Sequence, residues 1–305
     1  MTKPRHFLSL SDYDADTLNY LLNRATELKK NQLEGKLYMP FNGRVLVMIF
    51  EKASTRTRVS FEAGFAQLGG SVIDLKPKES QLINNESFAD TAKVLSGMVD
   101  MVMIRTFEQS RLQEFADNSK VPVINGLTND YHPCQIMGDI LTFQEKRGPI
   151  QGKTVAWIGD ANNVLYSWLQ AADILGFKVN IFAPVGFKIE ASRMPKSRCY
   201  DFFLSADEAA EGADLVTTDT WTSAGYTKKQ EKRQPVSARW QVNAAVMAHA
   251  KPDALFMHCL PAKRGEEVSP DVLDGPQSVV WDEAANRLHI QKAIMEYLML
   301  GKIEN

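Results

Sequence analysis

The amino-acid sequence predicts an α/β fold made of two doubly wound parallel-sheet domains that are joined by interdomain helices. Short apolar runs, typical of strands that are buried on both faces, alternate with amphipathic helical patterns along the whole chain. The alternation breaks at residues 147–152, a stretch that contains two glycines and a proline, and then restarts. The chain has 305 residues, a length that suits two domains of about 150 residues each.

The first half of the chain begins with a predicted helix over 12–30, where leucines recur at helical spacing. The elements predicted after it are a strand over 44–50, a helix that stops at Gly69, a strand over 71–75, a helix over 90–97, strands over 101–105 and 121–124, and a helix from 132 to about 146. The sequence thus predicts a first domain over 1–147.

The second half begins with a predicted strand over 153–158 and a helix over 164–175. Further strands are predicted over 178–182, 214–217, 254–258 and 278–281. Residues 228–239 are too polar for a core. An amphipathic helix from about 286 to 300 closes the chain, and we expect the segment 286–305 to pack back on the first domain. The second domain is therefore predicted over 148–285.

Composition excludes several classes of protein. The net charge of −2 and the isoelectric point near 6.2 give no general basic field for nucleic acid. No apolar run approaches the ~18 residues of a membrane span, and the first residues lack the apolar core of a signal peptide. The three cysteines fit neither a disulfide framework nor a zinc site. We expect a cytoplasmic protein with reduced thiols.

A cluster of hydroxyl and arginine side chains follows the first predicted strand, in Ser54-Thr55-Arg56-Thr57-Arg58. A helix N-terminus presents backbone N–H groups and partial positive charge, and arginine matches the geometry of phosphate. Ligands of open parallel sheets bind at the carboxyl ends of strands, where this segment lies. The segment indicates a site for phosphate or another dianion. The alternative is a helix cap with two solvated arginines.

Two further strand ends of the first half carry polar side chains. Arg105 ends one strand and is either a second anion ligand or an ordinary salt-bridge partner. His132 begins a helix in Tyr131-His132-Pro133-Cys134-Gln135, where it can face a ligand or cap its own helix. Gln135 lies one turn later on the same face, so it can contact the same ligand.

The strand ends of the second half suit a different ligand. The turn Gly159-Asp160-Ala161-Asn162-Asn163 lacks the G-x-G-x-x-G pattern of a dinucleotide site. Its acid and amides suit a zwitterion, although such residues are also common in plain turns. Asp219 can pair with an ammonium group or lie at the surface. Cys259 ends another strand, where it can contact an amine or serve as a small buried apolar residue.

Six segments that lie at or after predicted strand ends occur along the chain in this order: "FEKASTRTRVSFEAGFAQLGG", "IRTF", "YHPCQ", "GDANN", "DTWTS" and "HCLPAKRGEE". With them the chain resembles the aspartate/ornithine carbamoyltransferase family over essentially its full length. The H-C-L-P motif points to the ornithine branch. The resemblance implies transfer of the carbamoyl group of carbamoyl phosphate to the δ-amine of L-ornithine, giving L-citrulline and phosphate, as in arginine biosynthesis. It also implies a homotrimer or a multiple of trimers, with no metal and no organic cofactor.

The same resemblance implies roles for individual residues. Those expected to contact carbamoyl phosphate are Ser54, Thr55, Arg56, Thr57, Gln81, Arg105, His132, Gln135, Cys259, Leu260 and Arg287. Gln81 lies on a loop that in the family reaches the site of a neighbouring subunit, and Cys259 and Leu260 lie beside the attacking amine. Those expected to bind ornithine are Asn163, Asp219, Ser223 and Ala224. Arg105, His132 and Cys259 are expected to be catalytic.

The chain departs from the family pattern at two places. Ala224 replaces the usual methionine, which predicts weaker ornithine affinity or altered closure of a loop. After Gln81-Leu82, Asn84 and Asn85 stand where the family usually has a glycine and a basic residue following its Gln-Leu or Gln-Ile pair. One cation at the subunit interface is therefore expected to be missing.

Several rival functions stay open at this point. One is a carbamoyltransferase for another amine, such as putrescine, N-acetylornithine or aspartate. Another is a nucleotide-binding oxidoreductase, which the missing glycine pattern disfavours. The third is a catalytically inactive, ligand-binding subunit.

Overall fold

The structure is a computed structural model, which describes residues 4–76, 86–183, 189–221 and 240–303. It divides into two compact units. The first comprises Met1–Leu141 and Ala285–Asn305, and the second comprises Thr142–Ala284. Each unit contains one parallel sheet with flanking helices, so the predicted α/β class is confirmed.

The first unit has a four-stranded sheet in the order β2-β1-β3-β4, and all of its neighbouring strands are parallel. Its strands are β1 (Val45–Phe50), β2 (Ser71–Leu75), β3 (Met101–Arg105) and β4 (Val123–Leu127). Its helices are α1 (Ala15–Leu33), α2 (Thr55–Gln67), α3 (Phe88–Leu95), α4 (Gln109–Asn118), and the parts of α5 (Pro133–Arg147) and α10 (Val280–Leu300) that belong to this unit.

The apolar runs form the centre of this sheet. β1 is buried from its second residue onward, and the first four residues of β3 are buried as well. α1 begins at the N-cap Asp14, whose side chain accepts a hydrogen bond from the N–H of Thr17. Late in α10, Glu296 forms a buried ion pair with Arg24 of α1, at 2.6 Å between Nε and Oε2. The part of α10 from Ala285 onward therefore belongs to the fold of the first unit.

The second unit has a five-stranded parallel sheet in the order β7-β6-β5-β8-β9. Its strands are β5 (Thr154–Ile158), β6 (Lys178–Phe182), β7 (Tyr200–Phe202), β8 (Leu215–Thr218) and β9 (Leu255–His258). Its own helices are α6 (Asn163–Leu175), α7 (Ala206–Ala210), α8 (Ala244–His249) and α9 (Pro270–Leu273). One face of the sheet packs on α7, α8 and α9 in a core that includes Ala209, Val246 and Phe256.

The prediction of a strand over 278–281 is wrong. Only Ser278 forms a bridge to Phe256, and the chain enters α10 at Val280. The apolar segment Val279-Val280 is buried, as a strand would be, but Val280 belongs to the core under the helices. On this side of the sheet the edge strand is β9. The opposite edge is formed by β7, which the sequence pattern did not predict because it is only three residues long and half exposed.

The order of strands creates one reversal in each sheet, and ligands of such sheets bind at these reversals. In the first unit the chain proceeds from β1 to β2 on one side and then to β3 on the other, so β1 and β3 are neighbours with Phe50 opposite Arg105. In the second unit β5 and β8 are the equivalent neighbours, with Trp157 opposite Thr217. The predicted site residues follow the carboxyl ends of these strands.

Other predicted boundaries agree with the structure to within a few residues, except that α10 begins six residues earlier than expected. The short helices α4, α7, α8 and α9 were not predicted. The charged stretch 228–239 lies outside the described residues. Within the described part of the chain, none of the helices combines the length and apolar character that crossing a membrane requires.

Candidate active site

The hydroxyl and arginine cluster forms the start of α2, directly after β1. Ser54 is the N-cap, and its Oγ accepts a hydrogen bond from the N–H of Thr57 at 3.2 Å. Thr55 is exposed, Arg56 is half-buried, and Thr57 is buried. The first N–H groups of a helix have no acceptor within the helix, so this end of α2 suits a phosphate.

Two guanidinium groups converge on one threonine hydroxyl. Arg105 Nη1 donates to Thr57 Oγ1 at 3.4 Å, and Arg287 Nη2 donates to the same oxygen at 3.3 Å. Arg287 comes from α10 and is only 2 % exposed. Because like charges repel in a medium of low polarity, two arginines that share an acceptor in a buried position are typical of an anion-binding site.

His132 lies among these cations and is buried. Burial, together with the positive charges of Arg287, Arg105 and Arg56, holds the pKa of His132 well below its usual value of 6.5. The imidazole is therefore neutral at physiological pH. A neutral imidazole still donates one hydrogen bond, so it can polarise a carbonyl oxygen without carrying a charge.

Gln135 connects the histidine segment to the arginine pair. Its Oε1 accepts a hydrogen bond from Arg287 Nη1 at 2.5 Å, and its Nε2 donates to Asp139 Oδ1 at 2.8 Å. Both Gln135 and Asp139 are 2 % exposed. The first unit thus brings Thr57, Arg105 and Gln135 into one hydrogen-bonded group around Arg287.

The other cations near β1 have different positions. Arg58 pairs with Asp74 of β2 and lies over the ring of Phe50, so it belongs to the packing of the sheet. Lys52 Nζ donates to Asn129 and lies 4.6 Å from the centre of the Phe107 ring. Burial and the positive charge of Arg105 lower the pKa of Lys52. Lys52 therefore adds to the positive charge beside Arg105, which the sequence did not predict.

The second unit places a carboxylate at the ends of β5 and β8. Asp219 follows β8, and its Oδ2 accepts a hydrogen bond from Asn162 Nδ2 at 2.6 Å. Asn162 is also the N-cap of α6, since its Oδ1 accepts from the N–H groups of Val164 and Leu165 at 2.9 and 3.2 Å. Asn163, the predicted ligand, is the first residue of the helix and is half-buried. Asn162 thus holds the carboxylate, a role that the sequence did not assign.

Cys259 follows β9 and reaches the same carboxylate. Its Sγ lies 3.2 Å from Asp219 Oδ1 and donates to it. Leu260 is the one non-glycine residue in the described chain with a positive φ, at 55°. That left-handed turn is held by the Leu260 N–H, which donates to His258 Nδ1 at 2.9 Å. Across the imidazole, His258 Nε2 lies 3.2 Å from the buried Glu267 Oε1. His258, held beside Glu267, therefore fixes the turn that carries Cys259.

One group of side chains in the described ranges could hold a metal ion. Asp219, His258 and Cys259 present ligand atoms that all lie within 4.8 Å of one another. In the structure the thiol donates to the carboxylate and the imidazole Nδ1 accepts from the backbone, so internal hydrogen bonds already use these atoms.

The structure brings the predicted residues together in two groups, one in each unit. The first unit holds Ser54, Thr55, Arg56, Thr57, Arg105, His132, Gln135 and Arg287, and the second holds Asn163, Asp219, Cys259 and Leu260. Gln81, Ser223 and Ala224 lie outside the described residues, as do Asn84 and Asn85. The sequence analysis did not single out Asp139, His258 and Glu267, which contact predicted residues rather than an open strand end. It included Asn162 in the turn suited to a zwitterion but not as the partner of Asp219. The spacing of Gln135 and Asp139, four residues apart on a helix, was a usable signal.

Comparison with protein families gives a match in each half of the chain. Residues 5–145 match the carbamoyl-phosphate-binding domain of aspartate/ornithine carbamoyltransferases, and residues 151–298 match their aspartate/ornithine-binding domain.

Individual relatives are similar over nearly the whole chain. The chain is 56 % identical over 301 residues to an ornithine carbamoyltransferase of Bordetella pertussis, covering 98 % of this chain and 96 % of the relative. It is 54 % identical over 303 residues to one of Burkholderia lata, covering 99 % and 98 %. Among solved structures, the ornithine carbamoyltransferase of Burkholderia thailandensis superposes with a TM-score of 0.91 at 52 % identity, covering 98 % of this chain and 100 % of that one.

Proposed function

Because the chain belongs to the aspartate/ornithine carbamoyltransferase family, we propose that it transfers the carbamoyl group of carbamoyl phosphate to the δ-amine of L-ornithine, forming L-citrulline and phosphate. The comparisons favour none of the alternatives, neither another amine, nor a nucleotide-dependent reaction, nor an inactive subunit. The observation that carries the proposal is the convergence of Arg105 and Arg287 on Thr57 at the N-terminus of α2.

Carbamoyl phosphate binds in the first unit. Its phosphate accepts hydrogen bonds from the start of α2 and from the guanidinium groups of Arg56 and Arg105. The neutral His132 donates to the carbonyl oxygen, and Gln135 accepts from the carbamoyl nitrogen. Arg105 and Arg287 are held by hydrogen bonds to Thr57 and Gln135, and donors positioned in this way stabilise the negative charge that develops on the carbonyl and leaving oxygens.

Ornithine binds in the second unit. Asp219 pairs with the α-ammonium group, because its carboxylate is held in place by hydrogen bonds from Asn162, Cys259 and the N–H of Thr220. The δ-amine resembles that of lysine, with a pKa of about 10.4, so it is mostly protonated in neutral solution. The reaction therefore requires a deprotonated δ-amine. We propose that Cys259, which donates to Asp219, lies next to this amine. Asn163, Leu260, Ser223 and Ala224 complete the proposed contacts.

The chemistry itself needs no covalent intermediate, metal or organic cofactor. The neutral δ-nitrogen attacks the carbamoyl carbon, and the carbon–oxygen bond breaks with its electron pair passing to the departing phosphate. The proton that the nitrogen then loses is taken up by that phosphate, which leaves as hydrogen phosphate. Attack is accelerated when both substrates are bound and oriented.

Three finer statements are part of the proposal. We assign the reaction to arginine biosynthesis, on the resemblance to the ornithine branch. A cytoplasmic location is supported by the three free thiols, Cys134, Cys199 and Cys259. A homotrimer or a multiple of trimers is supported by apolar side chains exposed on the first unit, among them Val59 of α2 and Ile73 of the edge strand β2, at 57 % and 49 %. Gln81 would serve a neighbouring subunit in such an assembly.

The test is turnover by purified protein with carbamoyl phosphate and a panel of amines: ornithine, putrescine, N-acetylornithine and aspartate. Selective formation of citrulline from ornithine, with one phosphate released for each citrulline, is the expected result. Product from another amine alone would keep the reaction but change the substrate, and the loop around Asp219 would then be the segment that selects the amine. If folded protein still binds phosphate but forms no product from any amine, the chain is a catalytically inactive, ligand-binding subunit and the proposal is wrong.

A further inference from the structure

Asp139 lies one helical turn after Gln135 on α5 and is 2 % exposed. It accepts the hydrogen bond from Gln135 Nε2 at 2.8 Å. Burial of a carboxylate is costly unless it is paired or hydrogen-bonded, so its position beside the proposed substrate contacts calls for a physical reason.

The contacts of Gln135 give its amide a direction. Nε2 faces an acceptor, Asp139, and Oε1 faces a donor, Arg287 Nη1, at 2.5 Å. If the amide were rotated by 180°, its NH₂ group would face the guanidinium and its oxygen would face the carboxylate. Both contacts would become repulsive, because a guanidinium has no acceptor and a carboxylate has no donor. Asp139 and Arg287 together therefore permit a single orientation of the amide.

We propose that Asp139 is a positioning residue that makes the site selective for an N–H group on the substrate. Oε1 of Gln135, a carbonyl oxygen with two lone pairs, accepts from the carbamoyl NH₂, and Asp139 prevents the amide from offering a donor in its place. The ligand class that this arrangement selects is a phosphate or phosphonate that carries a primary carboxamide, in preference to one that carries a methyl ketone or acetyl group. The inference rests on the proposed function, since it takes the carbamoyl group as the ligand.

For a simple anion such as inorganic phosphate, loss of the Asp139 charge should not weaken binding. Asp139 places a carboxylate near Arg287, so neutralising it makes the group more positive, and the affinity for inorganic phosphate should stay the same or rise. A loss that is confined to carboxamide ligands can therefore be told apart from general damage to the site.

The experiment uses isothermal titration of the full chain with three probes. Phosphonoacetamide carries the carboxamide, acetonylphosphonate carries a methyl group in place of its NH₂, and inorganic phosphate has neither. The variants are Asp139→Asn, Asp139→Leu and Gln135→Ala. The Asp139→Asn change keeps the shape of the side chain but lets it turn a donor toward Gln135. The Asp139→Leu change keeps a similar volume without any acceptor.

The wild-type chain should bind phosphonoacetamide about tenfold more tightly than acetonylphosphonate, the effect of one well-made hydrogen bond. Asp139→Leu should reduce that ratio to about two or less, with phosphate affinity unchanged or higher. Asp139→Asn should reduce it less, because the amide oxygen of asparagine can still accept from Gln135. In the Gln135→Ala background, Asp139→Asn should change nothing further. If Asp139→Leu does not fold, Asp139→Ala, which also lacks an acceptor, decides. An unchanged ratio in whichever of these two variants folds would overturn the proposal.

Equal weakening of all three probes would overturn the proposal and leave Asp139 with a structural role. An Asp139→Asn loss of the same size with and without Gln135 would overturn it as well. Because binding is measured and not turnover, failure of carbamoyl transfer to ornithine in the wild-type chain would be recognised separately.

Discussion

Substitution of Thr57 by valine tests whether one hydroxyl organises the phosphate-binding arginines. Valine has nearly the same shape, and Thr57 is 1 % exposed, so the change removes the hydroxyl with little change in packing. Arg105 and Arg287 both donate to Thr57 Oγ1, so both guanidinium groups lose their common acceptor.

The magnitude follows from the two distances. At 3.4 and 3.3 Å, both hydrogen bonds are longer than the usual N–H···O range. We therefore assign about 0.5–1 kcal/mol to each, the lower part of the range for one net hydrogen bond. The sum of about 1–2 kcal/mol corresponds to a rise of about 5- to 30-fold in the KM for carbamoyl phosphate.

The assay is steady-state citrulline formation with each substrate varied in turn. The KM for ornithine should change by less than about twofold, because Thr57 lies in the other unit from Asp219. Thr57→Ser is the matched control and should return the KM for carbamoyl phosphate to within about threefold of the wild type, since it restores the acceptor. An unchanged or lower KM for carbamoyl phosphate in Thr57→Val would refute the reasoning. A lower KM would mean that the hydroxyl competes with the substrate for the arginines.

The remaining predictions concern three other side chains. Arg105→Ala should weaken phosphate binding by about 100-fold in calorimetry, as expected for charge-assisted hydrogen bonds, whereas Arg44→Ala, at the opposite end of β1 and paired with Asp100, should change it less than about twofold. Burial lowers the pKa of Lys292 to about 8 from an ordinary 10.5, so the unfolded chain binds more protons between these values and stability rises with pH there. Lys292→Met should stabilise the chain against urea by about 1–3 kcal/mol at pH 7, after allowance for solvent screening and for the lost hydrogen bond to Gln32, and by little above pH 10.5; an equal gain at both pH values would contradict the stated cause. Ala224→Met should lower the KM for ornithine if the alanine weakens closure over the substrate, and no change would mean that the alanine is neutral.

The sequence predicted the parts of the fold that depend on local patterns. Buried parallel strands such as β1 and β5 are continuous apolar runs, and Ser54 is a typical helix cap. The segment 278–281 misled for the same reason, because a β-branched apolar run fits a buried strand and a buried helix start equally well. Only the core under the second sheet decides between them.

For the candidate site, the sequence predicted which residues follow strand ends but not which atoms those residues contact. Residues that follow strand ends could be identified from order alone, and their functional roles stay predictions. Thr57 and Arg287, however, are 230 positions apart, and no local pattern relates them. Of the two adjacent asparagines after β5, it is Asn162 that faces Asp219, because the N-cap position turns its side chain back toward the strand ends. Sequence spacing could not distinguish the two.

The measurement that tests carbamoyl transfer most directly follows the new bond itself. Carbamoyl phosphate labelled with ¹³C at the carbamoyl carbon and ornithine labelled with ¹⁵N at the δ-nitrogen are mixed with the purified protein and observed by ¹³C NMR. We expect the carbamoyl signal to be replaced by a doublet from one-bond coupling to ¹⁵N, at a rate proportional to protein concentration and abolished in Arg105→Ala. If the ¹³C label appears only as uncoupled cyanate or bicarbonate, at the rate seen without protein, the chain does not catalyse this transfer.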